Sequence, residues 1–295
     1  MPFGDFDQWY IRNVKESGII GGKTKTLYEV AKNANVNSNE KYRNMDGSPW
    51  GTSNVLAKVA GITKTNTSVF REEHNGGYCA RLYTHYEKVK VAGVVDIHVL
   101  AAGSLFTGEM MEPITGTSNP MAKFSMGIPF TRKPKAIKFD YKVDISKIMT
   151  ERVKRNGLSK MKKVSGQDQC DCIVMLQKRW EDSNGNVHAR RVGTMVRRFA
   201  KDTGGWKDNQ QFTINYGDIT GQSWYADYMG LRNGGEDDFY TMNSKGKLVR
   251  IIEEGWGSAT DTPTHIIVKF DSSHGGAFVG APGNTLCVDN VRLVY

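Results

Sequence analysis

Apolar and polar residues alternate with a period of two in several stretches of the chain. In residues 137–143 every second residue is apolar and the residues between are charged, which predicts a strand with one buried and one solvated face. The same period predicts three more strands, at residues 170–176 continuing toward Trp180, at 266–270 and at 291–295. The dipeptide Asn184-Gly185 follows the first of these three and predicts a tight hairpin.

Helical periodicity is rare by comparison. Residues 30–35 and 147–155 are the two stretches that we expect to hold short helices. Glycine pairs mark turns at residues 21–22, 76–77, 204–205, 234–235 and 275–276. No internal repeat and no Pro- or Ser-rich linker interrupts the pattern. The sequence therefore predicts an all-β, jelly-roll-like antiparallel β-sandwich with few short helices, forming a single domain over residues 1–295.

The composition agrees with a folded, turn-rich β protein. Of the 295 residues 39% are hydrophobic and 24% charged, which suffices for a core, and 32 glycines outnumber 8 prolines. No stretch reaches the roughly 18 apolar residues of a membrane-spanning helix, which predicts no transmembrane segment. The first residues have neither the basic nor the apolar region of a signal peptide. Composition alone therefore leaves open a cytoplasmic protein or a mature one whose signal has been removed.

The chain is basic, with 40 Lys and Arg against 31 Asp and Glu and a net charge of +9. Clustered positive charge is typical of nucleic-acid binding, because protein cations displace counterions from phosphate. The densest basic stretch is residues 132–163, and in its strand at 137–143 the lysines alternate with apolar residues. No zinc-finger, RNA-recognition or helix-turn-helix pattern accompanies it. We therefore expect a solvated basic face and no nucleic-acid partner.

The four cysteines, Cys79, Cys170, Cys172 and Cys287, offer no familiar metal site. Cys170 and Cys172 flank a single residue, a spacing shorter than that of the usual zinc pairs. Two residues apart on one strand, they point the same way, which disfavours a mutual disulfide. The spacing favours buried free thiols, and a disulfide between Cys79 and Cys287 stays open.

Three blocks of the sequence have a family resemblance. The opening block is residues 4–9, the middle block is residues 50–54, 79–82, 101–109, 127–134 and 139–142, and the ending block is residues 271–273 and 280–295. Their motifs include Trp50-Gly51-Thr52 and Gly280-Ala281-Pro282-Gly283. Together they resemble the putative carbohydrate metabolism domain family. The resemblance covers nearly the whole chain and is strongest over residues 46–145 and 263–295.

The resemblance implies a jelly-roll β-sandwich similar to carbohydrate-binding modules, on a secreted or cell-surface protein of a glycan-utilisation system. It implies an extracellular or cell-surface location, a polysaccharide or oligosaccharide ligand, and surface proteins as further partners. No catalytic residue follows from it. Cys287 stands where an aromatic residue is commoner in such endings, a departure that concerns packing.

The two ends of the chain are similar to those of sandwich carbohydrate modules that hold a structural calcium where their termini meet. Asp7 and Asp289 occupy the similar places here, so the resemblance implies a calcium cofactor with these two residues as ligands. Calcium binds several oxygen atoms, which carboxylates and carbonyls of paired terminal strands can supply. The alternative is that Asp7 forms a turn and Asp289 lies on the surface of an edge strand.

Sugar binding uses flat aromatic side chains against the pyranose ring and planar polar side chains for its hydroxyls. Most large aromatic residues of a sandwich pack in its core, so those in glycine-rich, loop-like segments are the better candidates. The candidate ligand-binding residues are Trp50, Trp206, Trp224, Tyr225 and Trp256. For Trp50 a role at the start of a strand stays open as the alternative.

Glycoside hydrolysis needs two carboxyl groups on either side of the scissile bond, about 5–10 Å apart. Glu109 lies in an apolar, glycine-rich segment, a setting that raises the pKa of a carboxyl group and suits an acid/base role. The acids considered as its counterpart are Glu72, Glu112, Glu236, Asp237 and Glu253. The alternative is that Glu109 forms an ion pair with Arg81 or Lys142 inside the sandwich.

We expect a carbohydrate-binding module that is not catalytic by itself. The alternatives are a glycoside hydrolase or lyase with Glu109 in the acid/base role, and a surface adhesion or structural module. A binding module should have an open, aromatic-lined groove, whereas a hydrolase should have two carboxylates across a cleft. A structural module should have buried aromatics and flat exposed patches.

Overall fold

The computed structural model describes residues 1–44, 47–148, 151–152, 161–235 and 237–295. These residues form 25 strands and three short 3₁₀ helices, Gly18–Ile20, Pro120–Lys123 and Asp227–Met229. None of these three helices is long and apolar enough to cross a membrane. The strands in chain order are β1 (Trp9–Lys15), β2 (Thr24–Val30), β3 (Ala34–Asn37), β4 (Trp50–Thr52), β5 (Val55–Val59), β6 (Ile62–Asn66), β7 (Val69–His74), β8 (Gly77–Tyr83), β9 (His85–Val91), β10 (Val95–Ala101), β11 (Ser104–Met110), β12 (Phe124–Met126), β13 (Ile128–Pro129), β14 (Ala136–Asp144), β15 (Glu151–Arg152), β16 (Lys162–Lys163), β17 (Cys170–Glu181), β18 (Val187–Phe199), β19 (Lys207–Thr213), β20 (Asn215–Tyr216), β21 (Tyr240–Met242), β22 (Leu248–Trp256), β23 (His265–Asp271), β24 (Val279–Gly280) and β25 (Thr285–Val294).

One layer is a five-stranded sheet, the small sheet, in the order β19-β14-β25-β8-β7. All of its neighbouring strands are antiparallel. The alternation at residues 137–143 lies in β14, where Ile137, Phe139 and Val143 are fully buried and Lys138 and Lys142 are partly exposed. The pattern therefore gives this strand one apolar face, which turns toward the second layer.

The second layer, the large sheet, has the order β12-β11-β23-β17-β18-β22-β21. Three short strands, β4, β13 and β20, add pairings to β11, β23 and β18. The neighbours along this order are antiparallel except β18 and β22, which run parallel. A parallel pair needs a crossover, and the chain between β18 and β22 first adds β19 to the small sheet before it returns.

The main core lies between the two sheets. From the small sheet come Leu82, Phe139 and Val288, and from the large sheet come Val174 and Phe270. The rings of Phe139 and Phe270 meet edge to face across the layers, with 5.0 Å between their centres. This arrangement confirms the predicted all-β, jelly-roll-like sandwich with few short helices.

The large sheet is buried on both of its faces. Along β17, Val174 faces the core, whereas Ile173 and Met175 belong to a second apolar cluster together with Met126 and Phe239. A strand covered on both sides is apolar almost throughout, which explains the composition of residues 170–176. We call the face that bears the second cluster the outer face of the large sheet.

Shorter sheets flank the sandwich, in the orders β2-β1-β3, β5-β6, β9-β10 and β16-β15-β24. The four predicted strands are confirmed as β14, β17, β23 and the end of β25, and the hairpin at Asn184-Gly185 joins β17 to β18. The helix predicted at residues 30–35 is wrong, because β2 runs to Val30 and β3 pairs with β1 in parallel. The other predicted helix, at 147–155, lies partly outside the described residues, and it is wrong at residues 151–152, which form β15.

The cysteines behave as small buried side chains. All four are free and buried, so the disulfide between Cys79 and Cys287 is not formed. A hydrogen bond with Cys287 raises the pKa of the Cys79 thiol, and burial raises it further. Both effects keep this thiol protonated, which makes it a poor nucleophile.

Candidate functional site

A cavity of about 480 Å³ opens on the outer face of the large sheet. Its floor is formed by side chains of β11, β23, β17 and β18. Its walls come from two loops, within residues 227–239 and 273–278, and from the 3₁₀ helix Pro120–Lys123 with the strand that follows it. We call it the acid-pair cavity, after the two aspartates described next.

Four polar residues form a row across the cavity floor because the strands bring them into register. Ser104 in β11 pairs with Asp271 in β23, and Asp271 pairs with Asp171 in β17. Asp171 in turn pairs with Arg198 in β18. Residues directly opposite on neighbouring strands have their side chains on the same face of the sheet. The register thus sets two carboxyl groups side by side, between a hydroxyl and a guanidinium group.

The two aspartates differ in their hydrogen-bond partners. Ser104 Oγ donates to Asp271 Oδ1, and Lys269 Nζ forms an ion pair with Asp271 Oδ2. Both carboxyl groups are almost fully buried. In the part of the chain that the structure describes, no N–H or hydroxyl donor reaches Asp171 Oδ1. Because buried polar atoms normally have partners, the unpartnered Oδ1 of Asp171 is a position that a proton can fill.

The pKa of Asp171 lies well above its usual range. Burial is the main cause, and the negative charge of Asp271 adds to it. The positive charges of Lys269 and Arg198 act in the opposite direction without reversing the shift. A hydrogen bond between the two carboxyl groups, which requires one proton, also raises the pKa of Asp171. The pair therefore holds a proton readily, and Asp171 can donate as well as accept.

Aromatic rings and guanidinium groups meet on the cavity wall. The Arg198 guanidinium carbon lies 3.8 Å from the ring centre of Tyr228, and that of Arg232 lies 4.4 Å from the ring centre of Phe239. Burial lowers the pKa of Arg232, and the charge of nearby Arg191 lowers it further. Flat rings beside planar polar groups are typical of small-ligand pockets.

His274 adds a second titratable group to the wall. Its Nδ1 lies 2.9 Å from Oδ1 of Asp168, which is fully buried. Asp168 is itself held by the backbone N–H of Ala281 at 2.8 Å and by the side-chain amide of Asn284 at 2.9 Å. Among the described residues His274 Nε2 has no hydrogen-bond partner. The imidazole is thus oriented from one side and open to a ligand on the other.

The two wall loops approach each other at Gly276. This residue has a φ of +76°, and a Cβ atom there would lie 2.3 Å from Asp237 Oδ1. Glycine alone tolerates both the backbone conformation and the close approach. Asp237 lines the wall, so one acid that was considered as a counterpart of Glu109 lies at the acid-pair cavity instead.

A buried ion pair anchors the wall loop of residues 227–239. Arg191 Nε donates to Glu253 Oε1 at 2.6 Å, and Gln177 donates to the same oxygen at 2.6 Å. Glu253 Oε2 accepts the backbone N–H of Arg232 at 2.8 Å, and an Arg191 amino group donates to the Gly230 carbonyl at 3.3 Å. The pair therefore ties β17, β18 and β22 to the loop.

The position of Trp50 departs from its prediction as a ligand-binding residue. Its side chain is fully buried in the main core, where its ring centre lies 5.5 Å from that of Phe6 and 6.5 Å from that of Phe270. The indole N–H donates to the Pro2 carbonyl at 3.0 Å. Apolar packing encloses the ring completely, so it offers no surface to a sugar.

The other candidate aromatics lie apart from the acid-pair cavity. Trp206 stacks on His74 with 3.7 Å between ring centres, and Trp256 lies beside Arg191 at 5.6 Å; both are partly buried. Trp224 and Tyr225 lie in the loop that leads into the 3₁₀ helix Asp227–Met229. Trp224 is 46% exposed and lines a separate groove. A ligand-binding role for these four residues stays a prediction.

Glu109 lies outside the lining of the acid-pair cavity. It is partly exposed, its Oε1 lies 3.8 Å from Arg43 Nε, and the same oxygen accepts the backbone N–H of Asn44 at 3.1 Å. The expected pairing with Arg81 or Lys142 is wrong. These two cations lie on the small sheet, as β8 and β14 residues, whereas Glu109 lies on β11 of the large sheet.

The acids proposed to face Glu109 have other partners. Glu72 pairs with Arg81 at 2.7 Å, and Glu112 pairs with Arg12 at 2.8 Å in a fully buried contact. Glu253 and Asp237 belong to the loop anchor and the cavity wall described above. Glu236 lies outside the described residues. A catalytic pair built on Glu109 therefore gains no support from these contacts.

The predicted calcium ligands contact the two strands of the β7–β8 hairpin. Asp7 Oδ1 accepts the backbone N–H of Tyr78 at 2.8 Å, and Asp289 Oδ2 lies 2.7 Å from His74 Nδ1. Burial raises the pKa of Asp289, and the hydrogen bond from His74 only partly offsets this. No group of three or more His, Cys, Asp or Glu side chains in the described part of the chain is placed to share a metal. The residues present therefore do not fit the oxygen-rich set that calcium prefers.

Calcium at Asp7 and Asp289 stays a prediction with a direct measurement. If calcium binds there, the thermal unfolding temperature should rise when calcium is added and fall back to its starting value when EDTA removes the ion. The rise should disappear in Asp289→Asn. An unchanged unfolding temperature in the wild type would remove calcium from the description of this site.

The sequence analysis missed the residues at the centre of the cavity. Asp171 lies between Cys170 and Cys172 in an otherwise apolar strand. The spacing of the two cysteines was interpreted, and the buried carboxyl group between them was not. A single carboxyl group in a strand buried on both faces is itself a signal, because burying a charge is unfavourable without a partner. Lys269 and Asp271 at the end of an apolar strand give the same signal.

Two of the solved structures similar to this chain come from Bacteroides species. One is a putative glycoside hydrolase from Bacteroides thetaiotaomicron, 19% identical, with a TM-score of 0.51 over 97% of this chain and 70% of that one. The other is a putative glycoside hydrolase from Bacteroides vulgatus, 15% identical, with a TM-score of 0.50 over 91% of each chain. At these identities the likeness shows the fold alone.

Sequence comparison identifies the family. No curated protein sequence matches the chain. The model of the family described as the putative carbohydrate metabolism domain matches residues 5–294. This match covers nearly the whole chain and agrees with the three sequence blocks that carry the resemblance. The chain therefore belongs to the putative carbohydrate metabolism domain family.

Proposed function

We propose that the chain is a carbohydrate-binding module, not catalytic by itself, and that it binds glycan in the acid-pair cavity. The observation that supports this most directly is Asp171, a buried carboxyl group at the cavity whose Oδ1 lacks a donor among the described residues. A sugar hydroxyl in the cavity can donate a hydrogen bond to the Asp171 carboxyl group, or accept one when that group is protonated. The free polar group and the cavity fit a ligand rich in hydroxyls.

The wall supports the same ligand class. Tyr228 is exposed and its ring centre lies 3.8 Å from the Arg198 guanidinium carbon, which gives a sugar ring an apolar surface next to hydrogen-bond donors. His274 and Asp237 add polar groups of both kinds. The location that the resemblance implies, outside the cytoplasm or at the cell surface, is part of the proposal.

The test is native electrophoresis through gels that contain one polysaccharide each. The panel is xylan, galactomannan, mixed-linkage β-glucan, polygalacturonate, alginate and chondroitin sulfate. We expect at least one to retard the wild type. Asp171→Ala and Tyr228→Ala should weaken that interaction at least about tenfold, the loss of one or two hydrogen bonds or ring contacts.

Two features keep this experiment decisive. Tyr228 is exposed, so Tyr228→Ala should fold even if Asp171→Ala does not. Glu109→Gln is the matched control, because Glu109 lies outside the cavity, and it should migrate like the wild type. The proposal would be contradicted if both cavity variants were retarded as strongly as the wild type. It would also be contradicted if no polysaccharide of the panel retarded the wild type.

The raised pKa of Asp171 favours a second candidate, a glycoside hydrolase in which this residue is the general acid. Asp271 does not fit as its counterpart, because the two carboxyl groups are in hydrogen-bond contact. Retaining enzymes separate their carboxyl groups by about 5–5.5 Å and inverting enzymes by more. The second acid would have to come from the wall, where Asp237 lies. Release of new reducing ends from the retarding polysaccharide, lost in Asp171→Asn, would favour hydrolysis over binding alone.

A further inference from the structure

A second groove, with a volume of about 250 Å³, lies where the end of β18 meets the edge strand β19. We call it the Trp224 groove. Its apolar residues include Met195, Ile219 and Met229, all almost fully buried. Trp224 also lines it and keeps 46% of its surface exposed. A tryptophan side chain that lies at a groove with about half of its surface exposed is unusual unless a ligand or partner covers it.

Three residues with planar polar side chains line the same groove as Trp224. Arg197, Gln211 and Asn215 line the groove, and none of them makes a side-chain hydrogen bond or an ion pair within the described residues. Together they offer donors and acceptors in flat groups. An aromatic surface next to unpaired guanidinium and amide groups matches a pyranose ring, whose faces are apolar and whose edge has hydroxyls.

The Trp224 groove lies close to the acid-pair cavity. The loop that supplies Trp224 and Met229 to the groove supplies Asp227 and Tyr228 to the cavity, and Val196 lines both. Asp227 follows Trp224 by three positions, so their Cα atoms are at most about 11 Å apart. This distance is within the length of a short oligosaccharide.

We propose that the Trp224 groove is a second subsite, which binds a pyranose unit of the same glycan chain whose other units occupy the acid-pair cavity. This inference rests on the proposed function. It assigns Trp224 as the stacking surface, with Arg197, Gln211 and Asn215 as hydrogen-bond partners of the sugar. The subsite adds affinity only for chains long enough to reach it, because linked units bind as one ligand.

The test compares trisaccharides and hexasaccharides made from the polysaccharide that retards the wild type. Trp224→Ala should weaken hexasaccharide binding about three- to tenfold, the effect of losing one ring contact, and leave trisaccharide binding unchanged. Trp180→Ala is the matched control: Trp180 is 39% exposed, stacks on His188 and lines neither opening. It should bind both lengths like the wild type.

A second measurement reports on the residue itself. N-bromosuccinimide oxidises exposed indoles, and peptide mass mapping locates the oxidised residue. We expect the hexasaccharide to slow the oxidation of Trp224 and to leave that of Trp180 unchanged. Equal oxidation of Trp224 with and without hexasaccharide would overturn the inference, as would wild-type affinity of Trp224→Ala for the hexasaccharide.

The outcomes separate the two proposals. If Asp171→Ala loses both lengths while Trp224→Ala binds normally, the subsite is wrong and the acid-pair cavity stands. If Trp224→Ala weakens hexasaccharide binding while Asp171→Ala and Tyr228→Ala do not, the cavity is wrong as the principal site and the groove is the glycan site. A wild type that no polysaccharide of the panel retards overturns both.

Discussion

Glu253→Gln should lower the free energy of unfolding by about 3–5 kcal/mol, because it leaves the Arg191 guanidinium buried without a counter-charge. Both side chains have almost no accessible surface. Burial alone would raise the pKa of Glu253, but the charge of Arg191 and the hydrogen bonds from Arg191, Gln177 and the Arg232 backbone lower it. The stabilisation is therefore complete above the unfolded-state pKa near 4.3 and is lost as the pH falls toward the folded-state value.

Urea denaturation near neutral pH measures this loss as a lower midpoint. Asp261→Asn is the control, because Asp261 pairs with Lys178 at 3.0 Å on the surface, and it should change the free energy of unfolding far less than Glu253→Gln does. The double variant Arg191→Met, Glu253→Leu should recover much of the loss, since neither charge is then buried alone. A loss in Glu253→Gln no larger than that in Asp261→Asn would contradict the buried-pair interpretation.

Asp171→Asn should raise the free energy of unfolding at neutral pH, whereas Glu253→Gln should lower it. The folded protein binds a proton at Asp171 more tightly than the unfolded chain does, because the pKa of this carboxyl is raised mainly by burial and then by Asp271. Stability of the wild type therefore falls as the pH rises from about 3.9, the unfolded value, toward the folded value. Asparagine has no such titration. At pH 7 we expect a gain in the free energy of unfolding, which the pH interval from about 3.9 to 7 limits to about 4 kcal/mol.

The measurement is the unfolding free energy of wild type and variant from about pH 4 to pH 8. The difference between them should widen as the pH rises and then level off. Asp271→Asn is the matched comparison, because it removes the ion-pair partner of Lys269 and should be less stable than Asp171→Asn at pH 7. A constant difference across the pH range would show that Asp171 ionises normally in the folded protein.

The strands of this fold could be predicted from the sequence because each depends on local alternation. Residues 137–143 alternate strictly, and they form the middle of β14 with Ile137, Phe139 and Val143 buried as expected. The expectation is wrong at Asp140, which is buried, and at Tyr141, which is only partly buried, because a bulge shifts the register there. The helix predicted at residues 30–35 is wrong because the spacing of Val30 and the neighbouring apolar residues is, taken alone, compatible with a helix. Their conformation is set by the pairing of β3 with β1, which no local pattern records. The extent of the domain, residues 1–295, stays a prediction.

The site could be predicted only in part, because it depends on strand order. Asp171 and Asp271 are adjacent only because β17 lies beside β23, and Ser104 joins them through β11. A search for carboxyl groups in glycine-rich segments selected Glu109 instead. Trp50 and Trp224 both follow a glycine- or serine-containing turn, yet one is sealed by Phe6 and the other is exposed. Distant packing, absent from the local sequence, decides between them.

The central place of β25 in the small sheet has a consequence for how the protein is made. β25 is the last strand in the chain, yet it lies between β14 and β8 and pairs with both. At about 5–20 residues per second, a ribosome needs about 8–30 s to synthesise the chain from β14 to the end of β25. Without β25 the small sheet can form only as two separate pairs, β19 with β14 and β7 with β8. We therefore expect the sandwich to close only after β25 has become available to pair with both.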